Sequence, residues 1–252
     1  MPKKLKYILS IAGHDPSGGA GVLADIKVFE HHQLMGFGVV TSITFQNDAE
    51  FNGLEWIAPE NIFNQLKPLF KYDIDVIKIG LIENLEVLLK IIDLLKKRWP
   101  EVKIIWDPIL KASAGYEFHS EMDLQALVNV LNKIYLITPN YPEMEAIGSE
   151  DALTNALKIS NSCFVFLKGG HHSENANDLL IKDGKVLREY KQGKIYGIEK
   201  HGSGCVLSSA IAAGLVLGKD VETSCRDAKE YTLDFLISNE TLLGQHNNPL
   251  IA

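Results

Sequence analysis

Short apolar runs alternate with longer amphipathic stretches along most of the chain. The runs Tyr7–Ala12, Gly38–Ile43, Val76–Ile79, Val102–Trp106, Ile134–Thr138 and Cys163–Lys168 are apolar or β-branched on both faces. Strands covered by helices on two sides read this way, because neither face needs polar residues. Between them, helical periodicity predicts helices over Gly21–His32, Pro59–Phe70, Asn84–Arg98, Glu121–Leu131 and Asp151–Ser160. Pro59 suits a first helical turn, where a missing N–H costs little, and Pro100 and Pro108 fall outside the helices. This alternation predicts an α/β fold, a mostly parallel central sheet with helices on both faces. After Lys168 the pattern changes. Asp178–Lys182 and Val186–Tyr190 flank Asp183-Gly184, the signature of a small antiparallel hairpin in the C-terminal third. Helices are expected again over Val206–Leu217 and Val221–Leu236. With no internal repeat, low-complexity run or long linker, residues 1–252 read as a single domain.

In an open parallel sheet, ligands gather beyond the carboxyl ends of the strands. The segments falling there are rich in glycine and polar residues: residues 13–21 (GHDPSGGAG), 44–47 (TFQN), Gly80-Leu81, Asp107-Pro108-Ile109, 139–143 (PNYPE) and 169–171 (GGH). Any one alone reads equally as an ordinary turn. His201-Gly202-Ser203-Gly204-Cys205 adds a sharper signal, a glycine turn opening into a small-residue helix. Unpaired amides and the helix dipole make such a terminus an anion site. Cys205 sits where a thiol ionises most easily. It could take the proton of an attacking hydroxyl while the amides of residues 202–205 stabilise a transferring phosphoryl group.

Other candidates surround this turn. The 17–21 loop lets backbone approach a ligand, though it has neither Walker nor dinucleotide spacing. Asp25, one turn further on, either reaches toward a substrate hydroxyl or is a solvated helix charge. Gln46 places an acceptor and a donor side by side, matching a ring nitrogen next to an exocyclic amine. Asp107 and Glu143 could share a hydrated Mg2+ with phosphate oxygens, although Glu143 reads equally as a helix-start carboxylate. Lys168 either faces nucleotide phosphates or snorkels to the surface. Cys163 and Cys225 read as structural.

Composition narrows the partners. A formal net charge of -7 argues against a nucleic-acid binder. No apolar run is long enough for a membrane span, and the basic N-terminus leads into a stretch too short and strand-like for a signal peptide. The three cysteines fit no metal-ligand spacing and no even disulfide set, which points to a reducing, cytoplasmic setting.

Residues 13–21 with Asp25, then Gln46-Asn47, Lys78-Ile79-Gly80, Asp107-Pro108, Thr138-Pro139-Asn140-Tyr141-Pro142-Glu143, 168–171 (KGGH) and 201–205 (HGSGC), follow one order. In that order the chain resembles the hydroxymethylpyrimidine/phosphomethylpyrimidine kinases of the ribokinase-like superfamily, across about residues 6 to 218. The resemblance implies ATP-dependent phosphorylation of 4-amino-5-hydroxymethyl-2-methylpyrimidine, and of its monophosphate, in thiamine biosynthesis. It implies Cys205 as catalytic base and a pyrimidine site of Gly13, Ala20, Asp25, Gln46, Leu81 and Ile109. ATP and its phosphates would meet Asn140, Lys168, Gly202, Ser203 and Gly204, and Mg2+ would meet Asp107 and Glu143. The resemblance also implies a homodimer.

The chain departs from that family at several positions. Leu81 stands where methionine is usual, Ser203 replaces a threonine, and the lysine expected after Asp107-Pro108 has moved within Lys111–Ala114. Two other activities fit the same residues: a pyridoxal or pyridoxine kinase, and a non-catalytic pyrimidine-binding protein. Gln46 favours the aminopyrimidine, because pyridoxine has no amine beside a ring nitrogen. Loop character marks residues 107–118 and the hairpin near Asp183 as candidate lids.

Overall fold

The computed structural model describes residues 5–109, 124–169, 177–191 and 199–246. Its strands are β1 (Tyr7–His14), β2 (Met35–Gln46), β3 (Phe51–Trp56), β4 (Ile74–Ile79), β5 (Lys103–Trp106), β6 (Leu136–Ile137), β7 (Phe164–Leu167), β8 (Asp178–Lys182) and β9 (Lys185–Tyr190). They form one sheet in the order β3-β2-β1-β4-β5-β6-β7-β8-β9. The pairings from β2 through β7 are parallel; β3 and β8 run against their neighbours. The expected α/β architecture is present.

The helices are α1 (Gly21–His31), α2 (Pro59–Leu66), α3 (Leu85–Arg98), α4 (Leu124–Leu131), α5 (Tyr141–Ile147), α6 (Ala152–Ile159), α7 (Ser203–Val216) and α8 (Val221–Leu236). Their ends follow local chemistry. Asn84, Asp151 and Asp220 cap α3, α6 and α8 by accepting the amides of Val87, Thr154 and Thr223. The helix expected to run to Phe70 stops at Leu66 and continues as a 3-10 turn, Lys67–Lys71. Pro68 has no N–H to offer the preceding turn.

Strand parity divides the core. Leu9, Ile11, Ile77, Ile79, Ile104, Ile137 and Val165 join the core shared with α2, α3, α4 and α6. Ile8, Val76, Ile105, Leu136 and Phe166 join the opposite core, with α1, α7 and α8. Two-sided burial explains why the strand runs lack polar alternation. The sequence pattern missed β3 and α5. β3 is an edge strand interrupted by Gly53, with each residue at least partly solvated. α5 is only 7 residues long and contributes little periodicity.

The hairpin near Asp183 is not a lid. Leu167 pairs with Leu179 and Val165 with Ile181, so the β8–β9 turn lies at the amino end of β7. That is the end opposite the candidate site. Ser160 pins the turn: its carbonyl accepts from the Asp183 amide at 3.0 Å and its hydroxyl from the Gly184 amide at 2.8 Å. Of the other candidate lid, residues 110–118 lie outside the described residues. A short Gly-Ser insertion between Asp183 and Gly184 should therefore leave turnover within about twofold of the parent while lowering thermal stability slightly. Steady-state kinetics and a melting curve check this; a large loss of turnover would restore the hairpin as a lid.

Candidate active site

Two segments from opposite ends of the chain interlock at the carboxyl ends of the parallel strands. The 15–20 loop is wound around the Asp15 carboxylate, which accepts the Ser17 amide, the Ser17 hydroxyl and the Ala20 amide, each at 2.9 Å. The same carboxylate accepts from His201 Nε2 at 2.8 Å. Burial raises the Asp15 pKa, but the bonds from His201 and Ser17 outweigh burial and hold it below the ordinary carboxylate value. Gly202 is then forced against the loop. Its φ is 73°, and a Cβ there would lie 2.0 Å from the Gly19 carbonyl oxygen. Only glycine fits both demands.

The turn opens into α7 without a side-chain cap. Val206 makes the first helical bond, to the Gly202 carbonyl, and the Ser203 amide bonds Lys200. The amides of Gly204 and Cys205 have no carbonyl within the helix, leaving them to stabilise an anion. The Gly21 amide, at the start of α1, favours a Cys205 thiolate. The thiol does not ionise easily. Burial pushes it up, Lys78 opposes, Asp25 and Asp107 add to the rise, and the value reaches about 11. Helix position alone misleads here because desolvation is the larger effect.

On the other side of Cys205, Gln46 ends β2. Its Nε2 donates to Thr44 Oγ1 at 2.9 Å, and that hydroxyl donates onward to the His14 carbonyl at 2.8 Å. This relay fixes the amide orientation and leaves the Gln46 carbonyl and one N–H uncommitted to Thr44. Leu81 is buried against Gly13, where a Cβ would lie 3.2 Å from its Cδ2. Ile109 flanks Gly80 in the same way, at 3.7 Å. Gly13, Ala20, Leu81 and Ile109 thus supply small or apolar surface.

Charged groups gather beyond β5, β6 and β7. Asp107 accepts from Thr138 at 2.9 Å, Lys168 at 3.0 Å and Ser208 at 3.1 Å. Lys168 also lies 3.8 Å from Glu143, and a Cβ on Gly204 would lie 3.4 Å from its Nζ. Asn140 and Glu143 form a reciprocal capping box at the start of α5. Burial raises the Glu143 carboxyl to about 6, against Lys168, with Asp107 adding to the rise. Lys168 faces this cluster rather than snorkelling away, and Glu143 is a helix-start carboxylate while also joining the charged cluster.

Asp25 occupies a different place from the one expected. It is fully buried, accepting from Ser10, Lys78 and Ser209. These partners take up the carboxylate, so it is not presented to a substrate hydroxyl. Asp15, His201 and Lys78 join the site beyond the residues expected from the sequence. Each lies within one of the motifs 13–21, 78–80 and 201–205, and Lys78 is the charged residue of the apolar run Val76–Ile79.

Replacing Gly202 with alanine places a side chain at positive φ and against backbone. Gly202→Ala should cost about 2–4 kcal/mol and abolish most ligand-dependent activity. Denaturant unfolding and a turnover assay check this; near-parental values for both would show that the two segments do not need this contact.

The chain matches the family model described as phosphomethylpyrimidine kinase over residues 15–251. A hydroxymethylpyrimidine/phosphomethylpyrimidine kinase from Aquifex aeolicus is 36% identical over 247 residues, covering 94% of this chain and 96% of that protein. The solved phosphomethylpyrimidine kinase from Clostridium difficile 630 superposes with a TM-score of 0.75 at 30% identity, covering 92% of this chain and 99% of that one. A Staphylococcus aureus pyridoxal kinase solved with ADP reaches 0.81 at 22% identity, covering 97% and 94%, and shares the fold. Extent and identity together settle the family: the chain belongs to the phosphomethylpyrimidine kinases.

Proposed function

We propose that this kinase phosphorylates 4-amino-5-hydroxymethyl-2-methylpyrimidine, and then its monophosphate, using ATP. The supporting observation is the join of the Ala20 loop to the Gly202–Cys205 turn, with Gln46 on one side and Lys168 on the other. Gln46, oriented by Thr44, reads the amine and its neighbouring ring nitrogen. Gly13, Ala20, Leu81 and Ile109 bound the ring. The hydroxymethyl group then faces Cys205, and the nucleotide phosphates face Lys168 and the Gly204 and Cys205 amides. The hydroxyl oxygen bonds to the γ-phosphorus as the bond to the bridging oxygen breaks, its electron pair leaving with ADP. The hydroxyl proton passes to the thiolate form of Cys205.

The residues fit a magnesium ion held in part by water. Among the described residues, no cluster of three or more His, Cys, Asp or Glu side chains could hold a metal. Asp107 and Glu143 instead supply two hard oxygen donors beside Lys168. Mg2+ commonly binds one or two carboxylates, several waters and substrate phosphates. When bound, it would neutralise charge on the phosphates. Asp107 and Glu143 would hold it, with Thr138, Ser208 and Asn140 fixing those carboxylates.

The pyridoxine-kinase reading lacks a use for the donor and acceptor pair on Gln46. A homodimer is the proposed assembly, consistent with Ile43 and Phe45 lying exposed on β2. The three cysteines are free, which suits a cytoplasmic setting; among the described residues, no helix is long and apolar enough to cross a membrane.

The two transfers differ in their need for a base. The first acceptor is an alcohol, whereas the second is a phosphate oxygen that is largely deprotonated near neutral pH. With ATP and Mg2+, the parent should convert the aminopyrimidine alcohol to mono- and diphosphate, and pyridoxine much more slowly. Cys205→Ala should slow the first transfer about 100-fold or more and the second far less. Chromatography separating both products checks this. Preference for pyridoxine would overturn the substrate, and normal first transfer by Cys205→Ala would overturn the base.

A further inference from the structure

Ser10 and Lys78 are register partners in β1 and β4, and both are fully buried. They interrupt the apolar face that packs against α1 and α7. Lys78 Nζ lies 2.9 Å from each Asp25 oxygen, while Ser10 and Ser209 donate to that carboxylate at 2.5 and 2.6 Å. A lysine ammonium has three N–H groups. Two meet Asp25, and among the described residues no further acceptor is bonded to the third. Nζ also borders the Gly80 backbone, where a Cβ would lie 3.1 Å away. Ser209 is one helical turn beyond Cys205, on the same side of α7. The ion pair therefore lies along the α7 face that carries the thiol.

Stability alone explains such a pair poorly. Buried ion pairs are often no more stabilising than well-packed apolar replacements. The mechanism needs a thiolate, however, and burial opposes one. We propose that Lys78, held by Asp25, is a positioning residue for Cys205, supplying the fixed positive charge that stabilises its thiolate for proton transfer. This rests on the reading of Cys205 as the base.

The surrounding charges have distinct signs. From β4, Lys78 favours the thiolate; from α1 and the segment after β5, Asp25 and Asp107 oppose it, and the Gly21 amide favours it. Lys168, beyond β7, also interacts favourably with a Cys205 thiolate. Burial disfavours the Lys78 ammonium, but Asp25, Cys205 and Asp107 outweigh it and raise its pKa above the ordinary lysine range. Lys78 therefore keeps its protons while Cys205 accepts the hydroxyl proton.

Alkylation of Cys205 by iodoacetamide, followed by peptide mass at pH 8, tests this without nucleotide or pyrimidine. Thiolate supply sets the rate, about tenfold per unit of thiol pKa while the thiol is mostly protonated. Lys78→Met/Asp25→Asn removes both charges and avoids an unpaired buried ion. Its Cys205 should react roughly fivefold or more slowly than the parent's. Lys78→Arg, which keeps the charge, should stay within about twofold. A role confined to packing predicts the opposite, since a loosened core exposes the thiol and speeds reaction. Thermal unfolding confirms that each variant is folded, and Lys78→Met alone, with at least the same expected slowing because Asp25 still opposes the thiolate, replaces the double variant if that does not fold. A neutral-pair variant slowed less than about fivefold, or Lys78→Arg slowed as much as the neutral pair, overturns the proposal. This readout is separate from catalysis: a failed alkylation result removes the role of Lys78 alone, whereas normal first transfer by Cys205→Ala removes the base beneath it.

Discussion

The Asp15–His201 hydrogen bond joins residues 186 positions apart. It brings the loop after β1 to the turn before α7, and the rest of the proposed site depends on that register. Asp15 gathers Ser17 and Ala20 on one side and His201 on the other. Gly202 then packs backbone against backbone at Gly19 and Ala20. A ring-binding surface and a phosphoryl-binding turn could not share one pocket if these segments moved independently. The C-terminal tail adds support, since the His201 amide bonds the Leu242 carbonyl and Lys200 bonds Asn239 and Thr241.

The second constraint is charge beneath that junction. The central parallel strands are apolar on both faces, so a charge buried there is costly unless it is paired. Ser10, Lys78, Asp25 and Ser209 form one set, and Thr138, Asp107, Lys168 and Ser208 form another. Ser208 and Ser209 come from successive positions of α7. One helix therefore anchors two acids, one beneath the thiol and one beside the proposed phosphate path. Fixed charges of this kind can act without reorganising when charge develops in a reaction.

The fold was legible because two-sided burial imposes simple patterns. Apolar runs marked the parallel strands, and Asn84, Pro59 and Asp183-Gly184 marked boundaries by their backbone chemistry. β3 and α5 escaped because one is a partly solvated edge and the other is short. Site groups at strand ends were visible as polar and glycine residues, and the structure brings Asp107, Glu143 and Lys168 together. Asp25 was misplaced because helix spacing alone does not distinguish a carboxylate facing ligand from one closing a buried ion pair. The helix terminus at the thiol is visible in the sequence, but its ionisation depends more strongly on burial and on charges distant in sequence.

The most direct measurement is a double-mutant cycle across the joining hydrogen bond. Asp15→Asn, His201→Leu and the combined variant would be compared by kcat/KM for the aminopyrimidine alcohol. If the pair holds the two halves in register, either single change breaks it and the second adds little, with a coupling of about 1–3 kcal/mol. Additive losses in folded variants would contradict that account, because each residue would then act without the other.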